Sequence, residues 1–249
     1  MYDNLEYSSS AELCEKMAAE CDSAILSFST GKDSIASWLQ MRKYFKRIIP
    51  YYTYYIPGLQ FVEDSLKYYE DFFGCHIYRL PHPSFMRWLT QEIFVAPDRV
   101  NLYEIDYSID LDTWTQEVIR DIIRELCDLP DAAYCGVGIR AADSLSRRTN
   151  IAVQGCINHN KKMFYPVYDW LKADMLKAFY ESGVKLPVDY RMFGRTFDGL
   201  LHQYLAPLKE WFPDDYKKVL DWFPLAELEF ARYGEPEKLR TRKEVYPDE

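Results

Sequence analysis

The chain has 249 residues, of which 48% are hydrophobic, and a formal net charge of −9 at pH 7. This composition is sufficient for the core of a globular protein, and the negative charge argues against unspecific nucleic-acid binding, which depends on a basic surface. No apolar run reaches the ~20 residues that span a bilayer, and the first residues lack the features of a signal peptide, so we expect a cytoplasmic protein without membrane contact.

The six cysteines are scattered along the chain. None of them has the paired spacing of a zinc site or of a disulfide framework. We therefore expect most of them to be buried thiols.

Strands and helices are predicted to alternate along the first two thirds of the chain. This alternation, at this spacing, favours right-handed crossovers and a parallel sheet. The expected fold is a doubly wound α/β fold with a mostly parallel five-stranded sheet. The predicted strands before residue 140 are 24–28, 47–55, 75–80 and 132–137, and the predicted helices are 10–21, one from 33, 61–73, 84–89 and one from a cap at Asp112 to 127.

The segment Ser27–Ser34 lies between the first predicted strand and the following helix. The first amides of such a helix have no partner within it, and together with the helix dipole they attract an anion. Hydroxyl groups would add donors, and Gly31 would let the backbone approach the ligand. The spacing differs from a Walker A loop, which would need glycine where the chain has Leu26. The segment therefore indicates an anion site, and the alternative is a capped helix without a ligand.

A second cluster of candidate residues follows the fourth predicted strand, over Gly138–Arg148. Three arginines, Arg140, Arg147 and Arg148, occur within nine residues. At the carboxyl end of a strand they could bind phosphate or sulfate, because a guanidinium group donates two parallel hydrogen bonds to such anions. The alternative is a solvated basic turn.

A third motif, Phe164–Met175, places a strand end before a helix. Asp169 is predicted to cap the helix that begins near Leu171, and Trp170 is predicted to anchor it. Both roles are architectural.

Together, the three motifs resemble those of the PAPS (phosphoadenosine phosphosulfate) reductase-like family of the PP-loop superfamily, the N-type ATP pyrophosphatases or adenine nucleotide alpha hydrolases. Residues 29–34 match S-G-G-x-D-S, with Thr30 in place of the first glycine. Residues 138–147 match G-I-R-A-x-E-S-x-x-R, with Asp143 in place of glutamate. The resemblance covers residues 24–178, about two thirds of the chain. The third motif is similar to P-L-x-D-W-T-x-x-D-V at Pro166, Asp169, Trp170 and Asp174.

The resemblance implies binding of an adenine nucleotide and cleavage of ATP between its α and β phosphates. The amides of Gly31–Ser34 would hold pyrophosphate, Lys32 would neutralise developing charge, and Asp33 would hold Mg²⁺ or cap the helix. Arg140 and Arg147 would bind a terminal anion. Lys32, Asp33 and Arg140 are thus the expected catalytic residues. The expected nucleotide-binding residues are Ser27, Ser29, Thr30, Gly31, Lys32, Asp33, Ser34, Tyr55, Gly138, Ile139, Arg140 and Arg147, with Tyr55 near the adenine.

The expected domain organisation has three parts. An N-terminal helix over 1–22 precedes a nucleotide-binding α/β domain over 23–180, and a helical extension covers 181–249. Residues 94–110 are interpreted as a lid or an insertion. Prolines and a glycine are predicted to divide the extension into short helices, and its aromatic residues suit a homodimer.

Three functions are compatible with the sequence. The first is an ATP pyrophosphatase or adenylyltransferase that supports sulfur transfer or nucleic-acid modification with a partner protein. The second is a PAPS reductase. The resemblance implies a nucleophilic cysteine in a C-terminal Glu-Cys-Gly-x-His segment, and this segment is missing here. Cys135 or Cys156 would then have to replace that cysteine. The third is a nucleotide-binding module without turnover. The paired cysteines of the related iron–sulfur reductases are also missing, so ATP or PAPS with Mg²⁺, and no iron–sulfur cluster, is expected.

Overall fold

The computed structural model describes residues 7–91, 93–94 and 113–234. The first of two compact units contains the described residues up to Tyr52, together with Glu70–Arg79 and Gln116–Leu186, and the second unit contains the other described residues. The predicted lid over 94–110, apart from its first residue, and the predicted cap at Asp112 lie outside the described residues.

Strands and helices alternate along the first half of the chain, as the sequence predicts. Within the described ranges, no helix has the length and apolar character needed to cross a membrane. The strands are β1 Ser23–Ser27, β2 Arg47–Tyr54, β3 Tyr78–Pro81, β4 Cys135–Val137, β5 Ile157–Asn158 and β6 Met163–Phe164. The helices are α1 Ser10–Glu20, α2 Lys32–Met41, α3 Gln60–Phe73, α4 Pro83–Thr90, α5 Gln116–Leu126, α6 Leu145–Gln154, α7 Lys172–Ser182, α8 Asp189–Phe193, α9 His202–Trp211, α10 Pro213–Trp222 and α11 Leu228–Tyr233.

The strands form one six-stranded sheet in the order β3-β2-β1-β4-β6-β5. β1 pairs in parallel with β2 and β4, and β4 pairs in parallel with β6. The fold is therefore α/β with a mostly parallel sheet, as expected. The register places Ser27 opposite both Tyr51 and Val137. The carboxyl ends of β1 and β4 thus lie at the same edge, which is where ligands bind in such sheets.

The sixth strand, β5, is additional to the five that the sequence predicts. It has two residues and pairs antiparallel with β6. A strand this short produces no alternating pattern that could reveal it. α6 was missed for a related reason, since Ile151 is its one buried residue and no apolar stripe marks the helix.

The core of the first unit is built around β1 and α2. Residues 24–26 of β1 are fully buried, in agreement with the uninterrupted apolar runs that are typical of parallel sheets covered on both faces. α2 buries Ile35, Trp38 and Leu39, which have the spacing of one face of a helix. The Trp38 ring stacks on the ring of Phe73 with 3.9 Å between their centroids.

Aromatic side chains form much of the core of the second unit. The centroid of the Phe61 ring lies within 6.1 Å of those of Phe193, Phe197 and Phe212. Pro207, one of the prolines expected to divide the C-terminal extension, lies inside α9 and does not end this helix. Both neighbours of Pro207 in the sequence are buried, and their packing offsets the one helix hydrogen bond that proline removes.

Asp215 on α10 anchors the amino end of α3. Its carboxylate accepts hydrogen bonds from the N–H groups of Gln60 at 2.7 Å and Phe61 at 3.1 Å, and the residue is only 1% exposed. Lys218 pairs with this carboxylate at 3.0 Å. A carboxylate in this place satisfies free amides and complements the helix dipole.

We expect Asp215→Ala to lower the free energy of unfolding by about 2–3 kcal/mol, because it leaves two amides without an acceptor. Urea denaturation followed by circular dichroism measures this loss. The neighbouring Asp214 is exposed, so Asp214→Ala is the matched control, with an expected change below about 0.5 kcal/mol. Equal losses in the two variants would contradict the anchoring role of Asp215.

Candidate functional site

The amino end of α2 is open toward the loop that precedes it. Its N-cap residue, Gly31, has no side chain and therefore makes no side-chain capping hydrogen bond. By contrast, Ser9 and Ser144 cap α1 and α6 with their own hydroxyl groups. The Ser34 hydroxyl shapes the loop instead, because it donates to the Gly31 carbonyl at 2.9 Å and accepts from the Ser29 N–H at 3.3 Å. A helix end at which the N-cap residue provides no side-chain acceptor suits an anion.

Thr30 holds the loop in an unusual backbone conformation. Its φ is 57°, in the left-handed region, and its side chain is buried. This conformation costs a β-branched residue about 1–2 kcal/mol, whereas glycine adopts it freely. The Thr30 hydroxyl donates to the Ser29 carbonyl at 2.6 Å. The loop therefore takes a shape suited to glycine, the residue that the PP-loop motif has at this position.

Gly138 brings the second motif into direct contact with α2. A Cβ atom at this position would lie 2.7 Å from the carbonyl carbon of Asp33 and 2.8 Å from both the Asp33 oxygen and the Ser34 nitrogen. These are backbone atoms, so only glycine fits without a shift of the chain. The next residue, Ile139, donates its N–H to the Val137 carbonyl at 2.8 Å and so turns the chain tightly after β4.

Arg140 connects all three sequence motifs. Its Nε donates to Asp33 Oδ1 at 2.6 Å, its Nη1 donates to the Trp170 carbonyl at 3.2 Å, and its Nη2 donates to the carboxylate of Asp143. The residue is only 4% exposed. Two carboxylates therefore neutralise this guanidinium, and protein oxygens engage all three of its nitrogens. The arrangement differs from the expected one, in which Arg140 binds a terminal anion.

Lys32 and Arg147 are the more exposed cations of the site. The side chain of Lys32 is 40% exposed and that of Arg147 is 46% exposed. Lys32 Nζ lies 3.1 Å from Asp33 Oδ2, and Arg147 pairs with Asp143. Sequence reasoning missed the ion pairs of Asp143 with Arg140 and Arg147, although the partners are only three and four residues apart in the sequence.

Asp33 is the expected Mg²⁺ ligand, and both of its carboxylate oxygens already have cationic partners. In the part of the chain that the structure describes, no group of three or more His, Cys, Asp or Glu side chains could hold a metal. Mg²⁺ in nucleotide sites commonly takes only one or two carboxylates, with the rest of its ligands from phosphates and water. The residues present fit a Mg²⁺ ion that arrives with a nucleotide and replaces Lys32 at Asp33.

Ser27 lies at the carboxyl end of β1, directly before the loop. Tyr55, the expected adenine neighbour, belongs to the second unit. Its ring stacks on that of His82 with 4.2 Å between the centroids, and burial raises the pKa of its hydroxyl to about 12.

The two candidate thiols are buried. Cys135 is fully buried in β4, and this burial raises the pKa of its thiol to about 11. Cys156 is 2% exposed. A nucleophilic cysteine needs access to its substrate and a lowered pKa. Both thiols lack access because they are buried, and the pKa of Cys135 is raised.

Asp169 caps a different helix from the predicted one. Its carboxylate accepts from the Ser10 N–H at 3.0 Å and from the Ser10 hydroxyl, at the amino end of α1. The Leu171 N–H at the start of α7 bonds to Asp174 instead, at 2.7 Å. The prediction that Asp169 caps α7 is therefore wrong. Trp170 packs against a buried cluster that includes Met175, which confirms its anchoring role.

A comparison with models of known protein families found no match for this chain, and a search of curated proteins found none either. The resemblance to the PP-loop proteins thus depends on the three motifs and on their meeting at Arg140.

We expect Gly138→Ala to lower the free energy of unfolding by about 1–3 kcal/mol, because its Cβ would collide with the backbone of α2. Thermal denaturation measures the effect. Gly199→Ala is the matched control, since a Cβ at that position meets no atom within 4 Å. An unchanged melting temperature for Gly138→Ala would show that this close approach does not shape the site.

We expect stability to fall as the pH drops from about 6.5 to 4 through His82. Its Nδ1 accepts from the Ser84 N–H at 3.0 Å as the cap of α4, and burial, followed by the charge of Arg87, lowers its pKa to about 4. In this window the unfolded chain binds a proton that the folded chain excludes. His82→Asn keeps a capping oxygen that does not titrate, so the variant should lose less stability than the wild type.

The measurement is a series of urea midpoints between pH 4 and 7 for both proteins. Burial raises the pKa of Asp189 to about 6, which lowers stability as the pH rises through the same window and therefore acts in the opposite direction. The difference between the two proteins isolates His82, and parallel curves would contradict the prediction.

Proposed function

We propose that this chain is a PP-loop enzyme that binds ATP and cleaves it between the α and β phosphates, by hydrolysis or adenylyl transfer. The observation that carries the proposal is the set of hydrogen bonds from Arg140 to Asp33, Asp143 and the Trp170 carbonyl. If the three motifs resembled those of the family only by chance, we would not expect all three to contact the same buried guanidinium group. The proposal includes an adenine nucleotide alpha hydrolase-like fold with a helical C-terminal extension, a cytoplasmic location, and a partner protein in sulfur transfer or nucleic-acid modification.

The phosphates would bind at the amino end of α2. The amides of the first turn and the helix dipole attract anionic oxygens, and Lys32 and Arg147 add two partly exposed positive charges beside them. As pyrophosphate leaves, negative charge develops on its oxygens, and fixed donors at this point stabilise it. Lys32 is the side chain that can follow this change, because its stem is flexible.

Arg140 would act as a positioning residue and not as a direct ligand of the nucleotide. Its bond to Asp33 Oδ1 fixes the carboxylate next to the loop, and its burial keeps it away from solvent. Asp33 is then oriented to hold Mg²⁺, which when bound would neutralise phosphate charge. Without Arg140, the Asp33 carboxylate would lose the hydrogen bond that fixes its orientation.

We expect the full chain with Mg²⁺ and ATP to produce AMP and pyrophosphate, detectable by ion-exchange chromatography. ATP at 100 times its dissociation constant should stabilise the protein by about 2.7 kcal/mol in a thermal-shift assay. Lys32→Ala should weaken ATP binding about tenfold, the equivalent of about 1.4 kcal/mol. Lys177→Ala is the matched control, because Lys177 is an exposed lysine of α7 that pairs only with Glu181, at 3.9 Å, among the described residues.

Three outcomes would contradict the proposal in different ways. Production of ADP and phosphate would exclude cleavage between the α and β phosphates. Binding of ATP without any product would indicate a nucleotide-binding module. Sulfite release from PAPS that disappears in Cys135→Ser or Cys156→Ser would indicate a PAPS reductase.

A further inference from the structure

A second candidate site lies in a cavity of about 440 Å³ where α2 and α3 end and β2 begins. All of its lining residues belong to the first unit. Because α2 starts at the loop and ends here, the cavity and the loop lie at opposite ends of the same helix. The volume is within the range of pockets that bind small molecules.

The lining of this cavity is positively charged, although the whole chain is acidic. Arg42, Lys46 and Arg47 contribute to it, and among the described residues no Asp or Glu does. Lys46 pairs with Asp22 at 3.2 Å. Arg47 donates to the Cys127 carbonyl at 3.0 Å, and within the described ranges neither Arg42 nor Arg47 has an ion pair with a carboxylate. Among the described residues, no carboxylate therefore neutralises these two guanidinium groups at the cavity.

Helix ends alone do not account for these cations. The carboxyl end of a helix carries about half a negative charge, so the ends of α2 and α3 together amount to about one. Lys46 is neutralised by its own partner. The two positive charges of Arg42 and Arg47 still exceed the negative charge of the helix ends. The nearby Glu70 is engaged by Arg79 at 2.8 Å. The cavity therefore retains a net attraction for an anion.

The rest of the cavity lining is apolar and includes two aromatic rings. Trp38 and Phe73 stack face to face with an angle of 8° between their planes, and because Trp38 is only 2% exposed, Phe73 is the more accessible of the two rings. The Arg42 guanidinium lies 5.6 Å from the centroid of the Phe73 ring. A planar cation beside an aromatic wall suits a ligand that has both a flat ring and an anionic oxygen group, and guanidinium groups bind phosphate through two parallel hydrogen bonds.

We propose that this cavity is a second ligand site, for a flat aromatic compound that carries a phosphate. The phosphate pairs with Arg42 and Arg47, and the ring lies against Phe73, which the buried Trp38 supports from behind. The site is separate from the proposed ATP site and does not depend on it.

The test is a fluorescence titration of the full-length protein with 1-naphthyl phosphate, and with 1-naphthol as the probe that lacks the phosphate. Saturable binding of one 1-naphthyl phosphate per chain is expected, with 1-naphthol at least about tenfold weaker. Arg42→Gln and Arg47→Gln should each weaken 1-naphthyl phosphate about tenfold, and Arg42→Lys, which keeps the charge but loses the planar fork, should have an intermediate effect. Lys16→Gln, an exposed lysine of α1 that does not line the cavity, should have no effect.

Lys32→Ala and an excess of ATP separate this site from the loop. Binding of 1-naphthyl phosphate that survives both supports the second site even if the chain does not bind ATP at all. Equal binding of 1-naphthol, or unchanged binding in folded Arg42→Gln and Arg47→Gln variants, would overturn the proposal, since the cations would then serve only the helix ends. Displacement by ATP together with loss in Lys32→Ala would also overturn it, because the probe would then occupy the loop.

Discussion

The site depends on the burial of one cation, Arg140, between two carboxylates. A buried ion pair is weak evidence for stability when it is complete, but removal of one partner leaves an uncompensated charge that costs about 3–5 kcal/mol. Asp33, Asp143 and the Trp170 carbonyl are therefore coupled energetically, although they belong to three separate segments. The close approach of Gly138 to α2 adds a steric constraint in the same place. Together these interactions hold the loop in one conformation.

This arrangement divides the charges of the site into two groups. Arg140, Asp33 and Asp143 neutralise one another to a large extent and determine geometry, whereas Lys32 and Arg147 pair with the same two carboxylates from more exposed positions. The left-handed conformation of Thr30 also determines the geometry of the loop. Backbone strain of about 1–2 kcal/mol persists only where surrounding contacts over-determine the backbone. The loop is thus prepared before a ligand arrives, which reduces the ordering cost of binding.

Local patterns in the sequence were sufficient for the first motif but not for α6, the helix that carries Arg147. The apolar run of β1 and the helical spacing of α2 predicted both elements and the loop between them, whereas the two residues of β5 carry no pattern. Partners that are distant in the sequence could not be predicted in the same way. Asp169 has the composition of a helix cap, but nothing local distinguishes α7 from α1, whose Ser10 lies 159 residues away. The motif likewise located Arg140 without indicating that protein oxygens engage its donors.

The long separation between Asp33 and Arg140 also sets the order in which the site can form during synthesis. The two residues are 107 positions apart, so at ribosomal rates of about 5–20 residues per second Arg140 emerges roughly 5–20 s after Asp33. During this interval β1, the loop and α2 exist without the cation that fixes the Asp33 carboxylate. Closing a contact over so many residues is also slow compared with local folding. A nascent chain therefore forms the contact between Asp33 and Arg140 late, because Arg140 follows β4 in the sequence.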